Sequence, residues 1–194
     1  MSADERIIWY DIETTGLNPF RDKIIEIAAI DSNKKKINFL INPEQKLDPY
    51  ITTLTKITDN MLKNEKKIEE RKKEILNFFD FNNDNQWIIS HNNDGFDILM
   101  LMNNLDLKKS DIKSNIFCNL KFSRKLEITN SCRLTILAKY FRIDGEQNHR
   151  ALDDAILLKK VFKNLLKIFK KKYNIDNVNM DYLFEYTYFN KSLQ

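Results

Sequence analysis

The chain has 194 residues, 42% of them hydrophobic, and 32 Lys and Arg against 28 Asp and Glu leave a formal net charge of +4. That is enough apolar material for one domain with a sizeable core, and no apolar run approaches the roughly 18 residues needed to cross a bilayer. Two cysteines without metal-ligand spacing, Cys118 and Cys132, exclude a zinc finger and suit a reducing compartment; the opening Met1-Ser2-Ala3-Asp4-Glu5 lacks the basic and apolar parts of a signal peptide, so a soluble, intracellular protein of cytoplasm or nucleus is expected.

Residues 7–13, Ile7-Ile8-Trp9-Tyr10-Asp11-Ile12-Glu13, read as a strand that is apolar until it ends in acids. Asp11 and Glu13 are two apart, so on a strand they point to the same face. Like charges that close need solvent, a shared proton or a cation, and paired hard oxygens are what Mg²⁺ or Mn²⁺ select. The competing reading is an edge strand with solvated acids. Residues 14–21 form a turn punctuated by Gly16 and Pro19, and residues 23–31 and 36–42 are two further β-branched runs, a meander paired antiparallel with the first strand. Residues 48–59 read as irregular up to a helix start at Thr58 or Asp59.

Ile68, Arg71, Ile75, Phe78 and Phe79 recur at helical spacing. A polar loop over 81–86 leads to a short buried strand, Trp87-Ile88-Ile89-Ser90. Asp97 falls in the first turn of the next helix, whose apolar side holds Phe96, Leu99, Met100 and Leu105; a carboxylate there gains from the helix N-terminus. Residues 116–120 read as a fifth strand, and a helix runs from Cys132 or Arg133 to Phe141. A long helix follows to about Lys172, with Ala151, Ala155, Leu158, Phe162, Leu165 and Phe169 on one side. The chain thus divides into a domain over 1–172 and a C-terminal extension over 173–194, a short aromatic helix appended to the same domain. Lys34-Lys35-Lys36, Lys108-Lys109, the 121–125 segment and Lys170-Lys171-Lys172 are candidate phosphate contacts or simply solvated faces.

Three segments carry chemistry: Asp11-Ile12-Glu13-Thr14-Thr15-Gly16-Leu17, His91-Asn92-Asn93-Asp94-Gly95-Phe96-Asp97, and His149-Arg150-Ala151-Leu152-Asp153-Asp154. In this order, over roughly residues 6 to 170, they resemble the three motifs of the DEDDh family of 3′-to-5′ exonucleases, of the proofreading and three-prime repair exonuclease type. The resemblance implies an RNase H-like α/β fold, a mixed five-stranded sheet with helices on both faces. It implies a hydrolase that releases nucleoside 5′-monophosphates from a 3′ end. Asp11, Glu13, Asp97 and Asp154 would hold two Mg²⁺ or Mn²⁺ ions, and His149 would be the general base, a role that suits an imidazole near neutral pH. Thr14, Thr15, Leu17, His91, Asn92 and Phe96 would line the terminal nucleotide, with Leu17 as a wedge; Leu54 and Ile57 are base contacts or else core.

Three features bear on these roles. His149 and Asp154 are five apart, about 140° around a helix, so they converge only if His149 lies in the loop before the long helix. Asp153 could serve as the ligand by bare chemistry, whereas family spacing favours Asp154. His91 and Asp97 are six apart, one more than in most proofreading-type sequences, while the third motif is like that of proofreading exonucleases and oligoribonucleases. The expected substrate is single-stranded DNA or a frayed 3′ end, in replication or repair. An exoribonuclease, and a non-catalytic nucleic-acid-binding module associated with a polymerase, stay open as alternatives. The expected partners are nucleic acid and a polymerase or replication protein, with no membrane.

Overall fold

A computed structural model describes residues 5–143 and 149–189. The opening segment and the end of the C-terminal extension, residues 190–194, lie outside the described residues. Five strands form one mixed sheet in the order β3-β2-β1-β4-β5. The strands are β1 (Arg6–Thr14), β2 (Ile24–Asp31), β3 (Lys36–Leu40), β4 (Gln86–Ser90) and β5 (Asn115–Cys118). The meander expected from the sequence pairs antiparallel, while β4 and β5 add on the other side in parallel. This is the RNase H-like architecture that the three motifs implied.

Strand β1 lies at the centre because both of its faces are apolar, and its alternation sorts the two cores. Ile7 and Trp9 face the long helix α7 (Ala151–Tyr173), in a cluster with Leu158, Phe162, Leu165 and Phe169. Ile8, Tyr10 and Ile12 face the opposite side, with Ile75 and Phe79 of α3 (Ile68–Phe79) and Met100 and Leu101 of α4 (Asp97–Asn104). Small side chains at Ala151 and Ala155, both fully buried, let the start of α7 sit close on the sheet. Asp153 and Asp154 in its first turn and Lys170, Lys171 and Lys172 in its last complement the helix dipole.

The segment 48–59 is more regular than the sequence suggested. Pro49–Thr55 is a helix, α1, whose first turn is closed by the Asp48 carboxylate accepting from the Tyr50 N–H at 2.7 Å. At seven residues it is too short to leave a periodic signal. The second helix, α2 (Asp59–Leu62), starts as expected on Thr58, whose hydroxyl accepts from Met61 N–H at 3.3 Å. The fifth strand ends at Cys118 rather than Leu120, and the chain turns at once into α5 (Asn119–Leu126). Phe122, Ser123 and Leu126 are buried there at helical spacing, which an adjoining apolar strand obscured. Helix α6 (Leu134–Tyr140) lies within its expected range.

The appended helix, α8 (Met180–Tyr188), is continuous with the α7-side core through Met180, Leu183 and Tyr186. Tyr186 meets the Phe169 ring at 4.8 Å and Phe184 meets Trp87 at 5.5 Å. The Cys118 N–H donates to the Tyr188 hydroxyl at 3.0 Å, so an otherwise open backbone group of edge strand β5 is covered.

One polar side chain fastens three strands. Asn93, fully buried, accepts from the Tyr10 hydroxyl at 2.6 Å and donates to the backbone carbonyls of Ile88 (2.8 Å) and Phe117 (3.2 Å). Asn93→Ala leaves the carbonyls and the hydroxyl without these partners in a dry site. It is expected to cost about 2–3 kcal/mol, a fall in Tm of roughly 4–12 °C for a domain of this size. Thermal denaturation of the two proteins checks this; an unchanged Tm would show that water replaces the amide at no cost.

Candidate active site

The row Ile7, Trp9, Asp11, Glu13 runs along the α7 face of β1, so the strand's own period delivers both carboxylates to the face where α7 begins. Between Glu13 and Thr14 the pairing with β2 slips by a bulge, which lets β1 leave the sheet just past its second acid. Asp97 is the first residue of α4 and only 5% exposed; Asp154, in the first turn of α7, is 2% exposed, whereas Asp153 points outward. One ligand atom each from Glu13, His149 and Asp154 lie within 4.8 Å of one another. His149 precedes the helix, as convergence with Asp154 requires, and its backbone is left-handed at φ 48°. That conformation costs a non-glycine residue of order 1–3 kcal/mol, so its surroundings must hold it.

The carboxylates destabilise one another. Burial pushes the Asp11 carboxyl well above the usual range, and Glu13, Asp97, Asp154 and Glu26 push it further. Burial also takes Glu13 up to about 8, reinforced by Asp154 and Glu26 and opposed by the Arg150 guanidinium. Asp97 is raised to about 6, chiefly by burial. Asp11, Glu13 and Asp97 thus resist ionisation, and together with Asp154 they offer only hard oxygen donors, a set that suits a divalent cation, with His149 beside Glu13 and Asp154.

The residues expected at the nucleotide fall into two groups. Leu17 stands 85% exposed on the β1–β2 turn, and Phe20, which the sequence reading passed over, is 78% exposed on the same turn. The turn is built to hold them out. The Asp22 carboxylate accepts from Asn18 N–H at 2.7 Å and lies so close to Gly16 that a Cβ there would run into it. Asn103 and Asn104 of α4 donate to the carbonyls of Pro19 and Asp22. Thr15 pairs with Lys23 through both its backbone N–H and its hydroxyl, each at 2.9 Å, and the buried Thr14 hydroxyl donates to the Gly16 carbonyl at 2.6 Å. Asn92 is exposed, with φ 111°.

Others are turned into the protein. Ile57 is fully buried in a third apolar cluster with Ile25, Leu47 and Leu62, so of its two readings the structure supports core and not base contact. Leu54 is half-buried on α1, and Phe96 packs beneath the α3–α4 core. His91 is held by protein on both sides: its Nε2 donates to the Cys132 carbonyl at 2.8 Å, and its Nδ1 accepts from the Asn119 amide at 3.0 Å. Burial lowers its pKa to about 4, so it stays neutral. It forms one wall of a cavity of about 410 Å³ with Arg124, Ser131 and Arg133.

Two residues beside the acids were missed. Glu26, 1% exposed, lies opposite Glu13 on β2 and pairs with Arg150. An acid within the run Ile24-Ile25-Glu26-Ile27, which has to be buried, was the available signal, because a buried carboxylate needs a partner.

The exonuclease family profile (RNase_T) matches residues 8–162. The chain belongs to this family. The family is one of exonucleases, hydrolases that generally use divalent metal ions. The chain is 30% identical over 182 residues to DNA polymerase III PolC-type of Clostridium perfringens, and 35% identical over 182 residues to that of Ureaplasma parvum. These matches take in 91% and 88% of this chain but 12% of each relative, so the chain spans about one-eighth of their length. Among solved structures it is similar to E. coli Exonuclease I in complex with a dT13 oligonucleotide, with a TM-score of 0.74 at 18% identity over 88% of this chain and 43% of that one. It is also similar to Exonuclease X in complex with 5′ overhanging duplex DNA, with a TM-score of 0.60 at 23% identity over 84% and 90%. At these identities the structural likeness is one of fold. Among the described residues no helix is long and apolar enough to cross a membrane.

The raised carboxyls make stability depend on pH. A carboxyl whose folded pKa lies above its unfolded value binds its proton more tightly when folded, so stability falls as pH rises from the unfolded to the folded pKa. For Glu13 that window runs from about 4.5 to about 8. The Tm of the metal-free protein is therefore expected to fall between pH 6 and 8 and the decline to shallow in Glu13→Gln, as differential scanning fluorimetry in EDTA would show; a parallel slope in the variant would contradict the shift.

Proposed function

We propose that the protein removes nucleotides from the 3′ end of single-stranded or frayed DNA, with Asp11, Glu13, Asp97 and Asp154 holding two Mg²⁺ or Mn²⁺ ions and His149 as general base. The observation that carries the reading is the convergence of one ligand atom each from Glu13, His149 and Asp154 within 4.8 Å, next to the half-buried Asp11 and the buried Asp97 that complete the repelling set. When bound, the ions would neutralise these acids, lower the pKa of a water and offset charge on the leaving 3′-oxygen.

The chain's own groups do the rest. His149, which precedes α7 and lies beside Glu13 and Asp154, takes the proton of the attacking water. Leu17 and Phe20 project from a turn tied to α4, so apolar surface for the last bases is held in fixed relation to Asp97. A terminal base seated against Leu17 must leave its partner strand, at a cost of a few kcal/mol in a duplex. The PolC-type relatives support a polymerase context, in which a chain of this kind removes nucleotides from a newly made 3′ end.

Each of Asp11→Ala, Glu13→Ala, Asp97→Ala and Asp154→Ala is expected to abolish hydrolysis of 3′-labelled single-stranded DNA in Mg²⁺ without lowering Tm, since repulsion among the acids is relieved. An Asp97→Ala enzyme that keeps most of its activity would remove Asp97 from the site.

For His149→Ala, turnover should fall by about 10²–10⁴, the range supplied by a general base, while single-stranded DNA binding in Ca²⁺ changes little. Matched duplex should be degraded more slowly than single strands. Normal turnover with weakened DNA binding in the variant would make His149 a substrate contact, and faster loss of an RNA 3′ end would move the substrate to RNA.

A further inference from the structure

We propose that Glu26 and Arg150 form a clamp that positions the third motif, so that Glu26 on β2 sets where His149 and Asp154 stand and Arg150 is the tie through which it acts. The inference rests on the exonuclease reading above. Arg150 Nε lies 3.2 and 3.1 Å from the two Glu26 carboxylate oxygens and Nη2 lies 2.8 Å from Oε1, a forked pair. The same carboxylate accepts from the backbone N–H of Ala151 at 3.0 Å. Arg150 is the N-cap of α7, and its own side chain makes no cap bond to the helix. A glutamate from another element therefore satisfies the first N–H of α7 and grips the residue before it.

Three further observations make this a positioning device rather than a generic ion pair. Glu26 is the cross-strand neighbour of Glu13, a placement in which two acids repel unless one is neutralised. Because Arg150 and the helix N-terminus take up the Glu26 charge, Glu13 remains the acid of the pair that faces Asp154 and His149. The clamp also grips the chain immediately after His149, whose left-handed backbone needs something to hold it. The fork further selects arginine, since a lysine offers one point charge and cannot span both oxygens. Glu26, 1% exposed and occupied by Arg150, acts through its partners and does not touch the reacting atoms.

The test compares wild type with Arg150→Ala, Arg150→Lys, Glu26→Gln and the Glu26→Gln/Arg150→Ala double variant. Turnover and KM are measured on 3′-labelled single-stranded DNA, Mn²⁺ affinity by calorimetry without DNA, and Tm for each protein. Groups that orient metal ligands typically contribute 10- to 100-fold to activity or affinity. Arg150→Ala and Glu26→Gln are each expected to lower kcat by that range and to weaken Mn²⁺ binding, with KM within about twofold. The double variant should be no worse than the poorer single one, because both remove the same link. Arg150→Lys should recover part of the loss, and it carries the test if the alanine variants do not fold. Wild-type kcat and Mn²⁺ affinity in folded Glu26→Gln or Arg150→Lys, with only Tm lowered, would reduce the pair to a structural ion pair. Multiplying losses in the double variant would likewise overturn the clamp. A wild-type protein that binds Mn²⁺ but shortens no 3′ end would instead sink the exonuclease reading, and the clamp would then stand or fall on the Mn²⁺ affinities of the variants.

Discussion

The constraint on which this structure turns is the mutual repulsion of carboxylates brought together at the end of β1. Asp11, Glu13, Asp97 and Asp154 come from one strand and two helices; burial and the neighbouring acids work against ionisation of Asp11 and Glu13, and burial against that of Asp97. A fold that only had to be stable would disperse them. Retaining them means that the rest of the molecule must supply the stability the site withholds, and the two apolar faces of β1, filled by α7 on one side and by α3 and α4 on the other, are where it does so.

The same constraint accounts for where each acid sits. Two of the four occupy the first turns of α4 and α7, where the helix N-terminus favours a negative charge. The other two share a face of β1 at the point where a bulge releases the strand. A fifth acid, Glu26, lies within the same field and is tolerated because an arginine and a helix N–H neutralise it. Glu26 thus has its charge partnered within the protein, whereas Asp11 and Glu13 face mainly other acids.

Much of this was legible in the chain. Spacing alone put Asp11 and Glu13 on one face, and the angle between positions five apart on a helix required His149 to precede α7. These are local geometric rules, and they hold whatever surrounds them. Sequence was silent where tertiary context decided. Ile57 looks the same in sequence whether it meets a base or a core, and only the arrival of Ile25, Leu47 and Leu62 around it makes it core. His91 sits in a motif, yet its two ring nitrogens are taken up by Asn119 and Cys132, residues 28 and 41 positions away. Helix α5 followed an apolar strand without a break, and α1 was too short for its period to register.

Glu26 is the most instructive of the omissions. It lies in a strand whose neighbours are all buried, so its charge could not be solvated, and some partner had to exist. Nothing local names that partner, because Arg150 is 124 residues away and looks, in sequence, like a spacer between the histidine and alanine of the third motif. Once folded, the pair joins the strand beside the acidic face of β1 to the helix that carries Asp154. The sheet and α7 are therefore not independent scaffolds for their respective acids: the position of Asp154 relative to Glu13 is set by a bond between their immediate neighbours, and the geometry of the site is a property of that joint.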